Sequence, residues 1–232
     1  MIILRKMLGY FSKAELIIWS LSLIFITLSF LLFDRSGYLS LLASLIGATS
    51  LIFLAKGNPI GQVLIIIFSL IYGYISFSFA YYGEMLTYVG MSAPMAVLSL
   101  ISWLRNPYKG NRAEVKIGRV NRYDIALMLA LTVAVTVAFY FLLRLLGTAN
   151  LTVSTVSVTT TFIAVFLTYK RSPYYALAYA FNDVVLICLW LMATISDSSY
   201  VSVVVCFIAF LANDIYSFIN WRRMQKRQSL TD

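Results

Sequence analysis

Residues 124–147 of the chain are DIALMLALTVAVTVAFYFLLRLLG, and 19 consecutive residues within them, 125–143, carry no charge. A helix rises about 1.5 Å per residue, so an apolar helix needs about 20 residues to cross the hydrocarbon core of a bilayer. This stretch therefore predicts a transmembrane helix.

Seven further stretches of similar length and character lie on either side of it. The eight predicted spans are Ala14–Phe33, Tyr38–Ala55, Pro59–Tyr82, Met85–Leu104, Asp124–Gly147, Thr152–Tyr169, Pro173–Ile195 and Tyr200–Trp221. The connections between them are short, apart from residues 105–123. The sequence therefore predicts an all-α fold, a polytopic membrane protein with eight transmembrane helices.

The composition agrees with a membrane protein and excludes other classes. Of the 232 residues, 61% are hydrophobic and only 12% are charged, against about 25% charged residues in soluble domains. A soluble enzyme and a disordered chain are thereby excluded. The chain has no His, its two Cys lie in apolar spans, and no GxxxxGK[ST] motif occurs. We therefore expect no catalytic residue, no metal site, no cofactor and no ATP-driven pump within this chain.

The basic residues predict the orientation of the spans. If the N-terminus is cytoplasmic, all but two of the 18 Lys and Arg residues lie on the cytoplasmic side, and the exceptions are Arg35 and Arg144. The cytoplasmic ones are Arg5, Lys6, Lys13, Lys56, Arg105, Lys109, Arg112, Lys116, Arg119, Arg122, Lys170, Arg171, Arg222, Arg223, Lys226 and Arg227. By the positive-inside rule we expect both termini in the cytoplasm. The net charge of +9 then serves orientation and contact with anionic lipid, and we expect no nucleic-acid partner.

Two segments of the chain resemble each other. The sequence KGNP (56–59) enters span three and KRSP (170–173) enters span seven, while Trp103 ends span four and Trp221 ends span eight. A unit of three helices that is followed directly by a second such unit would have the opposite orientation in the membrane. Span five crosses the membrane once more between the two units and restores the direction. The sequence therefore predicts two parallel repeats in a 3+1+3 arrangement. Generic membrane-edge sequences are the alternative explanation. The expected parts are an N-terminal tail and extra helix (1–33), a first three-helix repeat (38–104), a cytoplasmic loop and linking helix (105–147), a second repeat (152–221) and a basic tail (222–232).

Two carboxylates lie deep inside predicted spans, and each follows an Asn: Asn182-Asp183 in span seven and Asn213-Asp214 in span eight. The helical rise places both pairs about 12–14 Å from the cytoplasmic ends of their spans. Carboxylates are rare there because inserting one costs about 2.5–3.5 kcal/mol. Since the two spans are antiparallel neighbours, we expect both pairs to face one cavity. Interhelical hydrogen bonds and a proton site are the alternatives.

Aromatic side chains accompany these pairs. Trp190 lies seven residues after Asp183 on the same helical face, and Tyr216 follows Asn213 at i+3. Amide and aromatic groups suit a polar solute that contains a ring, and a positively charged ring would gain further from an aspartate. Glu84, in a short outer loop, is expected to be structural or to line a gate.

Several segments together resemble the PnuC family of bacterial vitamin transporters over roughly residues 55–228. They are 57–62 (GNPIGQ), 72–74 (YGY), 81–88 (YYGEMLTY), 103–110 (WLRNPYKG), 114–117 (EVKI), 181–184 (FNDV) and 213–221 (NDIYSFINW). The resemblance implies a SWEET-like 3+1+3 core in the bacterial inner membrane and a homo-oligomer. It also implies nicotinamide riboside uptake by facilitated diffusion, through alternating access, with the substrate trapped by a cytoplasmic kinase.

Carried over onto this chain, the family's binding groups fall on spans three, seven and eight. The expected substrate-binding residues are Gln62, Tyr72, Asn182, Asp183, Trp190, Asn213, Tyr216 and Asn220. Riboside-binding members of the family often carry paired tryptophans in span seven, where this chain has one, so Tyr179 or Phe181 is expected to supply the second ring. Transport of thiamine, riboflavin or a sugar, proton coupling, a membrane-embedded enzyme and a passive channel remain as alternatives.

Overall fold

The computed structural model of the protein describes residues 9–78, 82–148 and 150–231. Within these ranges, eight helices are long and apolar enough to cross a membrane, as the sequence predicts. They are α1 (Lys13–Phe33), α2 (Tyr38–Ala55), α3 (Ile60–Ser78), α4 (Tyr82–Leu104), α5 (Arg122–Leu145), α6 (Leu151–Tyr169), α7 (Tyr174–Thr194) and α8 (Val201–Ser229). Arg5 and Lys6, counted above among the cytoplasmic cations, and Tyr81 of the family resemblance lie outside the described residues.

Short polar motifs determine where two of these helices begin. The Ser12 hydroxyl accepts a bond from the Glu15 amide at 3.3 Å, and the Glu15 carboxylate accepts one from the Ser12 amide at 2.7 Å. Asn121 and Asp124 form the same reciprocal pair at the start of α5, at 2.8 and 3.1 Å. These capping boxes satisfy amide groups that the first turn of a helix leaves unpaired.

Helix α4 is irregular. It begins with an α-helical turn at Tyr82–Met85, continues as a π-helix over Leu86–Ser92 and becomes α-helical again over Ala93–Leu104. Pro94 stands where the α-helical part resumes, and proline has no amide hydrogen to donate to the preceding turn. The helix starts three residues earlier than the predicted span, so Glu84 belongs to the helix instead of a loop.

The helices associate in two groups of three. Helices α2, α3 and α4 pack together, as do α6, α7 and α8, and the groups meet where α2 contacts α8 and α4 contacts α6. Helix α1 packs against α8 and α2. Helix α5 packs against α6 and buries only Thr132 and Leu143, so it lies at the periphery.

One end of the bundle, here called the basic end, carries residues 105–121 and the last turns of α8. Residues Pro107–Tyr108 and Asn111–Val115 form a two-stranded antiparallel hairpin, β1 and β2. Lys109 and Gly110 turn between the strands with φ of 47° and 79°, the signs that a type I′ turn requires.

The last helix extends well past the predicted basic tail boundary at residue 222. Helix α8 continues to Ser229, and its Gln228 side chain binds the end of the hairpin and the loop that follows it. The Gln228 amide donates to the Val115 carbonyl at 3.1 Å, and its oxygen accepts from the Ile117 amide at 2.9 Å. The C-terminal helix therefore fixes the long loop on the bundle.

Three large buried rings close the core near the basic end. Trp103, Tyr175 and Trp221, here called the aromatic layer, are each at most 1% exposed. The ring centroid of Trp221 lies 5.4 Å from that of Trp103 and 4.9 Å from that of Tyr175. Such aromatic contacts add stabilisation beyond the area that they bury.

Candidate functional site

A cavity of about 600 Å³ lies between the two helix groups. Asp183 and Asp214 line its inner part, while Glu84, Asn150 and Ser196 line it towards the end of the bundle opposite the basic end. Asn150 and Ser196 are exposed, so the mouth of the cavity lies there. The volume falls within the range of small-molecule sites.

The two aspartates form a carboxyl pair at the floor of the cavity. Asp183 is 3% exposed and Asp214 is 2% exposed, and both line the cavity, one from α7 and the other from α8. Oδ2 of Asp183 and Oδ1 of Asp214 are buried and have no hydrogen-bond partner among the described residues, and these are the atoms available to a ligand.

The Asn182 side chain is oriented by hydroxyl groups of α6. Its oxygen lies 3.4 Å from the Ser157 hydroxyl, 2.8 Å from that of Thr160 and 3.0 Å from that of Thr161. With the oxygen so engaged, the amide nitrogen is the donor that remains for a ligand in the cavity. A buried amide held by three partners is a preorganised polar group.

Aromatic rings form part of the cavity wall. Trp190 lies against Tyr200, with ring centroids 5.2 Å apart, and its indole nitrogen is buried without a partner among the described residues. Tyr179 and Tyr88 also line the cavity. These flat faces can stack on a ring and attract a cationic one.

The structure brings three of the eight predicted binding residues together at the cavity: Asn182, Asp183 and Trp190. Tyr72 lies behind the wall, with its ring centroid 4.8 Å from that of the lining Tyr88. The other four predicted residues, Gln62, Asn213, Tyr216 and Asn220, are not among the lining residues.

Two of these four residues, Asn213 and Asn220, bind other parts of the protein through their amide groups. The Asn213 amide donates to the Ser22 hydroxyl of α1 at 2.8 Å and to the Ala209 carbonyl at 2.7 Å. Asn220 donates to the Ala55 carbonyl at 2.8 Å. The contacts with Ser22 and Ala55 join helices, whereas the contact with Ala209 lies within α8. Of the predicted Asn-Asp pairs, only Asn182, Asp183 and Asp214 line the cavity.

The remaining two predicted residues also lie towards the basic end. The Tyr216 hydroxyl donates to the Glu15 carboxylate at 3.1 Å. Gln62 is 2% exposed in the first turn of α3, and its amide nitrogen has no bond among the described residues.

The cavity also contains groups that the sequence did not assign to binding. Glu84 lines it because the helix α4 begins early. Ser157 and Thr161 line it from α6, a helix from which no binding residue was predicted. The run of Ser and Thr in residues 151–161, LTVSTVSVTTT, is the sequence signal for this polar wall. Of the two candidates for a second ring, Tyr179 lines the cavity, whereas Phe181 is 66% exposed on the outer surface.

The described part of the chain has eight helices of membrane length, and their bundle contains a cavity with a polar floor and aromatic walls. These features define a multi-pass membrane transporter of a small molecule. The sequence model of the family described as "Nicotinamide mononucleotide transporter" matches residues 37–223. The chain belongs to this family.

Two known proteins are similar to this chain, one in sequence and one in structure. The chain is 25% identical over 229 residues to the "Nicotinamide riboside transporter PnuC" of Neisseria mucosa, covering 97% of this chain and 87% of that protein. The solved structure described as "Crystal structure of the Vitamin B3 transporter PnuC" is similar with a TM-score of 0.80 and 23% identity over 94% of each chain. These findings confirm the all-helical membrane fold and the resemblance to PnuC transporters.

Proposed function

We propose that this protein takes up nicotinamide riboside and that the substrate occupies the cavity above the carboxyl pair. The family match and the riboside-transporting relative support this proposal. The observation that carries it is the charge of the cavity, which contains Glu84, Asp183 and Asp214 and no Lys or Arg among its described lining residues.

The charge of the cavity distinguishes between nicotinamide mononucleotide, which the family description names, and nicotinamide riboside, which the name of the Neisseria mucosa relative gives. The nicotinamide ring of the riboside is a pyridinium cation, whereas the mononucleotide adds a phosphate with up to two negative charges. A buried anionic site attracts the first and repels the second. The cavity therefore favours the riboside over the mononucleotide of the family description.

Each lining group then has a role. The Asp183 and Asp214 pair balances the pyridinium charge, and the Asn182 amide nitrogen binds the carboxamide or a ribose hydroxyl. Trp190 stacks on the ring, and Tyr179 supplies a second aromatic face. Gln62, Tyr72, Asn213, Tyr216 and Asn220 act behind the site by holding helices and walls in place.

The mechanism we propose is alternating access by facilitated diffusion. The cavity opens opposite the basic end, and the aromatic layer separates it from the basic end. With the basic end and both termini in the cytoplasm of a bacterium, this conformation faces outward. A cytoplasmic kinase then traps the substrate by phosphorylation, and the transporter itself needs no cofactor and catalyses no reaction.

Uptake of labelled nicotinamide riboside into proteoliposomes that contain the kinase and ATP tests the proposal. We expect saturable uptake that excess unlabelled riboside abolishes and that the mononucleotide inhibits weakly. Uptake should not change when the pH gradient is dissipated. Equal inhibition by the mononucleotide, or absence of saturable uptake, would contradict the proposed substrate.

Thiamine is the second candidate, because it also contains a cationic ring that the same carboxyl groups would attract. Riboflavin and sugars are neutral and gain nothing from this charge. Competition by unlabelled thiamine against labelled riboside distinguishes thiamine from nicotinamide riboside as the preferred substrate.

We also propose that the protein forms a homo-oligomer and binds no nucleic acid.

A further inference from the structure

A second concave site lies at the basic end, outside the transport cavity. It is a groove of about 790 Å³ between the C-terminal part of α8 and the segment that follows the hairpin. The groove is lined by Ile117, Arg119, Phe218, Ile219, Arg222, Arg223, Gln225, Lys226, Gln228 and Ser229. Here it is called the basic groove.

Four cations from two distant parts of the sequence converge on the basic groove. Arg119 comes from the segment between hairpin and α5, and Arg222, Arg223 and Lys226 come from α8. All four are exposed, and none forms a salt bridge with another described residue. Of the four, Arg222 binds other side chains of the described part of the chain: its guanidinium donates to the Gln225 side chain at 2.7 Å and lies over the Tyr174 ring.

Glu15, Glu114 and Asp124 each bind a cation that does not line the groove. Glu114 binds Arg227 and Gln228, which lie on the same helical extension. Asp124 binds Lys170 at 2.6 Å. Among the described residues, the groove therefore presents a surplus of positive charge that is open to an anion from outside the protein.

The wall of the groove on the bundle side is apolar. Ile219 is 45% exposed and Phe218 lies beside it, with its ring centroid 6.0 Å from that of Tyr174. Lys226 lies seven residues after Ile219, which is about 10 Å along the helix. The headgroup region on each side of the hydrocarbon core is about 5–8 Å thick, so the cations of α8 extend through it from the apolar wall.

The geometry points to a binding site for an anionic phospholipid, with the headgroup phosphate among Arg119, Arg223 and Lys226 and the acyl chains along Phe218 and Ile219. Basic pockets at the membrane boundary bind such headgroups, and each nearby Lys or Arg contributes to the attraction. Orienting the chain requires only that the cations lie on one side of the membrane. It does not require them to converge on a concave surface with an apolar wall.

The number of cations predicts which lipid binds best. Four positive charges exceed what one phosphate neutralises, so diphosphatidylglycerol should bind more tightly than phosphatidylglycerol. Both should bind more tightly than the zwitterionic phosphatidylcholine. Because the groove is separate from the transport cavity, this order of lipid affinities does not depend on which solute the protein transports.

Native mass spectrometry of the purified protein with each lipid tests this site. We expect diphosphatidylglycerol to remain bound and to raise the melting temperature, with no such effect from phosphatidylcholine or inorganic phosphate. A variant with Arg119→Gln, Arg223→Gln and Lys226→Gln should lose roughly 100-fold in lipid affinity, since three surface charges are removed.

The matched control removes three cations of the same end that lie outside the groove: Arg105→Gln, Lys109→Gln and Arg112→Gln. It should retain the lipid and the melting-temperature increase. Equal loss in both triple variants would show nonspecific attraction and overturn the site. Equal stabilisation by inorganic phosphate would assign the groove to a free anion, and binding of phosphatidylcholine with the same affinity would also overturn the proposal.

Discussion

Trp103 and Trp221 lie side by side in the aromatic layer, and each donates its indole hydrogen to the opposite helix group. Trp103 of α4 binds the carbonyl of Thr168 in α6 at 3.0 Å, and Trp221 of α8 binds that of Leu54 in α2 at 2.8 Å. Both acceptors lie in the last turn of their helices, where carbonyl groups have no partner within the helix. The tryptophans therefore fasten the two helix groups to each other.

The residues that precede the tryptophans repeat this pattern. The Ser102 hydroxyl donates to the Tyr169 carbonyl at 2.9 Å, and the Asn220 amide donates to the Ala55 carbonyl at 2.8 Å. Each acceptor is the last residue of its helix. These paired contacts support the proposed internal repeat and give Asn220 a role in closing the basic end.

Replacing Trp221 with Phe should weaken this junction. The variant keeps an aromatic ring but removes one of the two hydrogen bonds to the Leu54 carbonyl, which also accepts from the Gly57 amide at 2.8 Å. The loss of one such bond costs about 0.5–1.5 kcal/mol. We expect a lower melting temperature of the purified protein. Trp19→Phe is the matched control, because Trp19 binds the Thr49 hydroxyl at 3.2 Å in the half-buried α1–α2 contact. An equal decrease in both variants would show that the Trp221 bond in the aromatic layer stabilises the protein no more than the Trp19 bond between α1 and α2.

The sequence predicted the fold more completely than the site. Eight spans follow from run length and hydropathy, and Asp183 and Asp214 stood out because carboxylates inside spans are rare. Helical periodicity fixes which residues share a face of one helix, but it does not say whether that face points to the cavity or to a neighbouring helix. Asn213 is adjacent to Asp214 in sequence, yet its amide binds Ser22 of α1. The contribution of α6 was missed because Ser and Thr hydroxyls commonly bond within their own helix.

The proposed charge balance predicts a specific effect of Asp214→Asn. The substitution keeps the shape of the side chain and removes one of the two carboxyl groups of the pair. Affinity for the cationic riboside should fall by roughly 10- to 100-fold, as expected when a hydrogen bond to a charged group is lost. Concentration dependence of riboside uptake in proteoliposomes measures this change.

Asp197→Asn is the control for that experiment, because Asp197 is exposed in the connection between α7 and α8. Its pKa is lowered by the bond that its carboxylate accepts from the Ser199 amide, a local turn contact outside the cavity. This variant should transport with unchanged affinity. If Asp214→Asn also retains wild-type affinity, the carboxyl pair is a structural contact and not part of the binding site.

Glu15 predicts a stability effect at the basic end. It is 2% exposed and accepts bonds from the Ser12 amide, the Tyr216 hydroxyl and the Lys56 ammonium group, the last at 3.2 Å. Glu15→Gln keeps the helix cap but leaves the Lys56 charge without its partner, so we expect a loss of roughly 1–3 kcal/mol. The melting temperature should fall more than for Glu114→Gln, whose partner Arg227 is largely exposed.

Gly118 lies where the long loop touches the α6–α7 junction, and its lack of a side chain makes this contact possible. Its amide donates to the Arg171 carbonyl at 3.0 Å, and a Cβ atom at this position would lie 2.1 Å from the Lys170 carbonyl oxygen. Because backbone atoms cannot rotate away, Gly118→Ala should cost about 1–3 kcal/mol and lower the melting temperature. Gly90→Ala is the control, since an added Cβ there meets no atom within 4 Å. Equal melting temperatures for the two variants would show that the loop can move away from the junction without cost.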